Sequence, residues 1–508
     1  MAPITDELST VFNSAVFVLF GGLLSKGIVL LEKLLIGRTF SVAQFGEINL
    51  AIAIFALGAT VSSVGLTQGV PRYLPRSEDK KIQRGILFSS LIITGIIAIL
   101  VSLILVVMTG FLQQALFDRA IPKLALWGFF ICIPLFALLQ VMVSGIRGLE
   151  NTRYKVYVED IFYPVSRLAF MWGLIVFGIG INSVWISYIT ALILAFVLSN
   201  SFSNKLLTLI GEYQPPSKEL LTYSAPLMVS AVVATLLTKV DTFMLGAFTS
   251  SYEVGLYSAG YSIASSLLII LSSFGFIYLP IVSRLDVDDD SDVSTIYQVV
   301  SKWAYILTFP LFAVLIIHSH EILGLVLGNQ YRAGGTALSL LSIGFMTHVA
   351  AGRNRETLSA LGFPRYVLLS NLIVLLLNIV LNAFFIPLYG HIGAALASLL
   401  SFVAVTVVVY ILLYYLADVT PISKRLIRIY VGLPVCILPI IWVLQALIPI
   451  SVLSIFISAF VATVCTGVVV YLLNGLQKED TAIIDAVESR TGISFDVLRS
   501  ALREYMRI

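Results

Sequence analysis

The chain has 508 residues, 59% of them hydrophobic and 12% charged, with a formal net charge of +3 and a mean hydropathy of +1.00. An average soluble domain is about a quarter charged, so a water-soluble fold of this size could not hide so much apolar surface. The positive charge is small and dispersed, and no basic stripe is interleaved with aromatics, which excludes nucleic acid as a partner.

The amino-terminus, MAPITDELST, places two acids and no base ahead of the first apolar run. That is the wrong leading region for a cleaved signal peptide, and the first run is expected to be retained. A helix needs about 20 residues to cross a hydrocarbon core of about 30 Å. Fourteen apolar runs approach that length: 11–36, 47–68, 85–108, 124–145, 158–178, 183–202, 221–246, 257–279, 301–318, 335–352, 366–387, 392–416, 429–447 and 451–473. Barrel strands would be half as long and would alternate with polar residues. The expected fold class is an all-α polytopic membrane protein.

Lys and Arg set the orientation, because short cytoplasmic loops collect the excess. With the amino-terminus inside, those loops hold eighteen bases: Arg72, Arg76, Lys80, Lys81, Arg84, Arg147, Arg153, Lys155, Lys205, Lys218, Arg284, Lys302, Arg353, Arg355, Arg365, Lys424, Arg425 and Arg428. The opposite loops hold four, Arg38, Arg119, Lys123 and Arg332. Both termini are therefore expected in the cytoplasm, with the protein in the plasma membrane.

The segment SNKLLTLIGEYQPPSK at 203–218 contains a proline pair that cannot continue a helix and marks a boundary between lobes. In LDVDDDSD, Asp286, Asp288 and Asp290 open with calcium-loop spacing. Ser291 and Tyr297 then replace the required Gly and Glu, so the run, with Asp289 and Asp292, reads as a solvated loop. Near the end, Val497, Leu498, Ala501, Leu502, Tyr505 and Ile508 recur at helical spacing and predict an amphipathic helix on the cytoplasmic face.

A shift of 209 residues superimposes Glu32 on Asp241, Gly37 on Gly246, Gly46 on Gly255 and Pro71 on Pro280. An even number of helices separates the copies, so they share an orientation and their pseudo-two-fold axis should run along the membrane normal. The expected organisation is a six-helix lobe over 1–202, a linker over 203–218, a second six-helix lobe over 219–416, two additional helices within 417–476 and a tail over 477–508.

A charge at mid-bilayer costs at least about 2.5–3.5 kcal/mol, so each one needs a partner or a cavity. The candidates are Lys26, Glu32 and Lys33 in the first run, Arg167 in the fifth, and Lys239 and Asp241 in the seventh. Lys26 and Lys33, seven apart, share a stripe with Gly22, and Lys33 is near enough to the outer end to snorkel. Arg167 is too central to snorkel. Lys239 and Asp241 point about 200° apart and cannot satisfy each other. Four bases against two acids leave an excess of two positive charges, which suits an anionic ligand such as a phosphate or pyrophosphate.

Glu159, Asp160, His348 and Glu356 lie nearer helix ends and read as solvated termini. Cys132, Cys436 and Cys465 are far apart, without metal-ligand or redox spacing, and read as small hydrophobes. Prolines at Pro134, Pro164, Pro226, Pro310, Pro434 and Pro439 predict bends, Pro164 next to Arg167. No ATP-binding loop, HExxH, GxSxG or kinase pattern occurs, and no cofactor is expected.

The stretch GGLLSKGIVLLEKLLIGRTFSVAQFGEINLAIAIFALGATVSSVGLTQGVPRYLPR resembles the first two helices of polysaccharide-exporting flippases of the multidrug/oligosaccharidyl-lipid/polysaccharide superfamily. The matching features are the helix end at Leu34 to Arg38, the turn with Phe45 and Gly46, the Gly-rich segment Gly65 to Gly69, and the basic loop from Pro71 to Arg76. The second-lobe echo VGLYSAGYSIA extends the resemblance over the chain. It implies a transporter that moves a polyprenyl or dolichyl (pyro)phosphate-linked oligosaccharide between leaflets by alternating access. Membrane lipids surround such a protein, and glycosyltransferases or a polymerase of the same pathway are its implied partners. Arg167, Lys26, Lys33 and Lys239 are then the candidates for binding the anionic head group, and Asp241 and Glu32 for ion coupling.

Two competing readings remain at this stage. A multidrug antiporter would have twelve helices and a carboxylate-led cavity. A membrane-embedded glycosyl- or acyltransferase would draw on His318, His320 and Glu321 at an outer helix end.

Overall fold

The computed structural model describes residues 2–118, 121–214, 218–282, 290–449, 451–477 and 480, with side chains from residue 17 onward except at 275–277, 279–282 and 290–292. The acidic residues Asp286, Asp288 and Asp289, the proline pair of the linker, Arg119, Arg284 and the amphipathic pattern from Val497 to Ile508 lie outside the described residues. The elements among those described are helical.

The first six hydrophobic runs form α1 (Ala2–Thr39), α2 (Val42–Ser62), a short α3 (Leu66–Tyr73), α4 (Lys80–Val107), α5 (Thr109–Leu116), α6 (Lys123–Gly148), one turn of α7 (Thr152–Lys155), α8 (Tyr163–Val176) and α9 (Asn182–Leu206). The rest form α10 (Lys218–Phe248), α11 (Ser251–Ala264), α12 (Leu268–Val282), α13 (Asp290–Ile317), α14 (Ser319–Val326), α15 (Gly335–Ala350), α16 (Asn354–Ala360), α17 (Pro364–Ala417), α18 (Lys424–Leu447) and α19 (Val452–Leu472). Eleven helical stretches among the described residues are long and apolar enough to cross a membrane. The expected runs 11–36 and 158–178 are not among the eleven, and 366–387 and 392–416 share one.

That shared stretch, α17, has 54 residues and turns at Gly390, whose φ of +54° is a left-handed value that glycine adopts without strain. Pro387 precedes the turn by three residues. Glu253 caps it: its Oε2 accepts the His391 backbone N–H at 2.8 Å and faces His391 Nδ1 at 2.6 Å. In the expected fifth run a π-helical segment, Val156–Phe162, joins α7 to α8. Pro164 has no N–H to donate, and the widened turn before it accommodates the loss, so this proline sits at the start of a helix.

The chain divides into two compact units that do not follow chain order. One comprises Met1–Ser262, Val326–Gly334 and Leu375–Ala397; the other comprises Ile263–Leu325, Gly335–Val374 and Ser398–Ile508.

Within the first unit the 209-residue shift reappears as exchanged contacts. A Cβ on Gly46 would lie 2.0 Å from the Ser251 carbonyl oxygen, and one on Gly255 would lie 2.0 Å from that of Val42. Val42 and Ser251 are themselves 209 apart, so each glycine abuts the mate of its partner's contact, the signature of a two-fold crossing. The caps match as well. Ser41 Oγ accepts from Gln44 N at 3.3 Å, and Ser250 Oγ accepts from Glu253 N at 3.4 Å. At the neighbouring ends Arg38 Nε donates to Val326 O at 2.8 Å, while Ser251 N donates to Asp118 Oδ2 at 2.8 Å.

Residues 208–214 of the linker lie against the start of α4. Arg84 donates to Thr208 O at 2.6 Å and to Glu212 O at 3.2 Å, Gln214 N donates to Lys81 O at 3.1 Å, and Lys81 pairs with Glu212 at 2.5 Å.

In the second unit Lys302, counted from the sequence among the bases of the cytoplasmic loops, is wholly buried. Its Nζ lies 2.6 Å from Asp480 Oδ1 and donates to Gly475 O at 3.1 Å, and Trp303 Nε1 donates to the same carboxylate at 2.8 Å. Gly475 and Asp480 are thus fastened to α13, Asp480 by a buried ion pair.

Candidate functional site

Four of the six charged residues expected inside the membrane meet in the first unit. Glu32 lies on α1, 1% exposed, and forms an ion pair with Arg167 Nη2 of α8. Tyr188 of α9 donates its hydroxyl to Glu32 Oε1 at 3.0 Å, and Arg167 Nη1 donates to the Tyr163 hydroxyl at 3.2 Å. The guanidinium also sits over the rings of Tyr188 and Tyr163, at 4.5 and 4.9 Å from their centroids. Phe55 and Phe129 pack edge-on against Tyr188. Arg167 therefore sits in an aromatic box with its charge matched by Glu32, a geometry that suits the planar, weakly hydrated guanidinium better than an ammonium. Among the described residues its Nε has no hydrogen-bond partner.

Lys33, next to Glu32, turns to α2, where its ammonium donates to Asn49 Oδ1 and lies 6.0 Å from the Phe45 ring. The charges that act on it are those of Lys239, Glu32 and Arg167. Lys239 is half-buried on α10 and, among the described residues, has no ion pair or hydrogen bond. Three basic side chains and one acid thus share one neighbourhood, an excess of two bases. Lys26 is exposed on α1, seven residues and about 10 Å of helix rise from Lys33.

Asp241, two residues from Lys239, points elsewhere, as helix geometry requires. Tyr257 of α11 donates to its Oδ2 at 2.6 Å, and Asn382 of α17 donates to its Oδ1 at 2.6 Å and to Asn378 Oδ1 at 2.9 Å. The carboxylate is 5% exposed. Two donors are thus aimed at one carboxylate, one on each oxygen. Among the described residues no group of three or more His, Cys, Asp or Glu is arranged to hold a metal ion.

The sequence reading missed Tyr163, Tyr188, Asn49, Tyr257, Asn378 and Asn382. Asn378 and Asn382 carried a usable signal, since two amides four apart in an apolar run share a helix face. Of the expected solvated termini, Glu159 and Asp160 both pair with Lys155, at 3.3 and 2.8 Å, and Glu356 pairs with Arg353 at 2.7 Å.

Comparison with known proteins places this architecture. Residues 35–334, more than half the chain, match the family described as polysaccharide biosynthesis protein. The chain belongs to that family.

Two relatives in Haloferax volcanii are similar over most of both chains. The probable low-salt glycan biosynthesis flippase Agl15 is 22% identical over 78% of this chain and 82% of its own length, and the probable flippase AglR is 24% identical over 72% and 77%. Among solved structures, the lipid II flippase MurJ in an inward closed conformation aligns with a TM-score of 0.73 over 91% of this chain and 98% of its own, at 14% identity. The multidrug transporter DinF-BH aligns with a TM-score of 0.58 over 81% and 96%, at 16% identity. These likenesses identify the fold as that of a multi-pass helical membrane transporter.

Proposed function

We propose that this protein is a flippase that translocates a lipid-linked oligosaccharide, a polyprenyl or dolichyl (pyro)phosphate bearing sugars, across the plasma membrane for polysaccharide or glycoprotein biosynthesis. The observation that carries the reading is the intramembrane cluster of Lys33, Lys239 and Arg167 against a single acid, Glu32. Two unmatched positive charges in an apolar surround favour an anionic group such as a pyrophosphate, which gains more from them there than in water. Family membership and the flippase relatives support the same substrate class. The better fit to MurJ than to the multidrug transporter supports it over the antiporter alternative.

In this reading fourteen crossings form two six-helix lobes and a terminal pair, with both termini cytoplasmic, and the lobes rock in alternating access. The exchanged contacts at Gly46 and Gly255 support a two-fold relation between the lobes. Lys33, Lys239 and Arg167 contact the head group, Lys26 receives it nearer the cytoplasm, and Asp241 with Asn378 and Asn382 forms the ion-coupling site. Glu32 positions Arg167. Glycosyltransferases or a polymerase of the same pathway supply and consume the lipid on either side.

The test is transfer of labelled lipid-linked oligosaccharide in reconstituted vesicles. Replacing Lys33 and Lys239 together by Gln is expected to reduce transfer at least tenfold. Unchanged transfer would refute the site.

A further inference from the structure

Among its described residues the first unit buries three carboxyl groups inside its spans, and the surroundings of one differ from those of the others. Glu32 has Arg167, and Asp241 has two hydrogen-bond donors. Glu47, in the second turn of α2 and 1% exposed, has neither: both of its carboxyl oxygens are buried without a hydrogen-bond partner among the described residues. An ionised carboxylate in that position would lack every compensation that normally accompanies burial of charge. A proton on Glu47 removes the conflict.

The neighbouring segments carry Lys33 on α1, Lys123 at the head of α6, Lys239 and Asp241 on α10, Glu253 on α11 and Arg332 before α15. Lys33 is taken up by Asn49, Asp241 by Tyr257 and Asn382, and Glu253 by His391. Asp118 is exposed at the same end of the bundle. Asp118 also accepts the Ser251 N–H, so it belongs to the crossing itself.

Glu47 follows Gly46 in sequence, and Gly46 meets the backbone of α11 without room for a Cβ. A charge created there draws in water, and the crossing of α2 and α11 has no space to admit it. We propose that Glu47 is a proton-carrying group: protonated, it keeps the α2–α11 crossing closed, and release of its proton to water opens it. This makes the proton a coupling ion, a role that rests on the transporter reading above. By the distribution of basic loops, Glu47 exchanges its proton with the non-cytoplasmic side.

Infrared spectroscopy of the purified protein tests the proton directly. The wild type should show the carbonyl band of a protonated carboxyl that disappears as the pH is raised, Glu47→Gln should lack it, and Glu47→Asp should retain it. Hydrogen exchange tests the crossing: at matched pH, amides 42–46 and 251–255 should exchange faster in the wild type than in Glu47→Gln, with the difference growing as pH rises. An unchanged band in Glu47→Gln, or equal exchange in the two proteins at every pH, would overturn the proposal. Neither readout involves a lipid substrate. A third arm measures transfer with the vesicle exterior or lumen acidified; the wild type should respond several-fold and Glu47→Gln should not. Absence of transfer by the wild type would count against the flippase reading and leave the infrared result standing.

Discussion

Replacing Arg167 by Met keeps most of the side-chain volume but leaves the Glu32 carboxylate, 1% exposed, with the Tyr188 hydroxyl as its one remaining donor from the site. Removing one member of a buried ion pair costs about 3–5 kcal/mol, because the other charge stays buried and uncompensated. The Tyr188 bond to a charged acceptor offsets at most about 1.5–3 kcal/mol of a carboxylate's needs, and it is present before and after the change. The expected loss is therefore the full range. Arg167→Met/Glu32→Gln removes both charges and should recover most of it, since a matched neutral pair has no stranded ion. Five tryptophans allow unfolding to be followed by fluorescence in mixed micelles of increasing SDS content. A coupling energy of about 3 kcal/mol, a factor of more than 100 in the folding equilibrium, is expected from the cycle. A loss below about 1 kcal/mol for Arg167→Met, or a double variant no more stable than the single, would refute the view of Glu32 as the charge partner that Arg167 requires. The double variant also separates roles: if the guanidinium contacts the head group, transfer stays low although stability returns.

Gly46→Ala and Gly255→Ala should each destabilise the protein by at least about 1–3 kcal/mol, measured by the same unfolding assay, because the added carbon meets a backbone oxygen at 2.0 Å and backbone cannot rotate away. Asp241→Asn turns an amide N–H₂ toward the donors of Tyr257 or Asn382, costs about 1–3 kcal/mol, and should abolish any dependence of transfer on the coupling ion, read as a flat response to its gradient. Asp480→Asn strands the buried ammonium of Lys302, and limited proteolysis should cut near 475–480 faster than in the wild type. Gly390→Ala combines a positive φ with a Cβ 2.3 Å from Glu253 Oε2, and its expected effect is loss of the Glu253 cap, seen as faster amide exchange at His391.

Much of the architecture was legible because it depends on local quantities. Apolar run length gave the helices, but not their starts: the runs from 47 and 257 belong to helices that begin at Val42 and Ser251, behind the caps Ser41 and Ser250. The offset of 209 was visible in single residues, and the structure adds a reason for two of them: Gly46 and Gly255 face each other's repeat mates at a backbone crossing. Mid-membrane charge singled out Lys26, Glu32, Lys33, Arg167, Lys239 and Asp241, because a bilayer tolerates such residues only where they meet partners or water, but not which of them lie together. The pairing was not legible. That Arg167 takes Glu32, and that Asp241 takes Tyr257 and Asn382, depends on which helices are neighbours, and periodicity within one helix carries no such information. Lys302 shows the same limit. From the sequence it looks like an ordinary membrane-edge lysine, and its partners Gly475 and Asp480 are more than 170 residues away. Glu47 stayed hidden for a different reason: it stands at the edge of the apolar run from 47, where an acid reads as solvated, and its burial follows from the packing of α2 against several other elements.

The central claim is that two unmatched positive charges beside the Arg167–Glu32 pair receive the anionic head group of a lipid-linked oligosaccharide. The most direct measurement is the rate at which labelled lipid-linked oligosaccharide becomes accessible at the opposite leaflet of vesicles containing the wild-type protein or Lys33→Gln/Lys239→Gln. The account predicts protein-dependent transfer that falls at least tenfold in the double variant, while the double variant unfolds at the same or a higher SDS fraction. Equal transfer by the two proteins would contradict it.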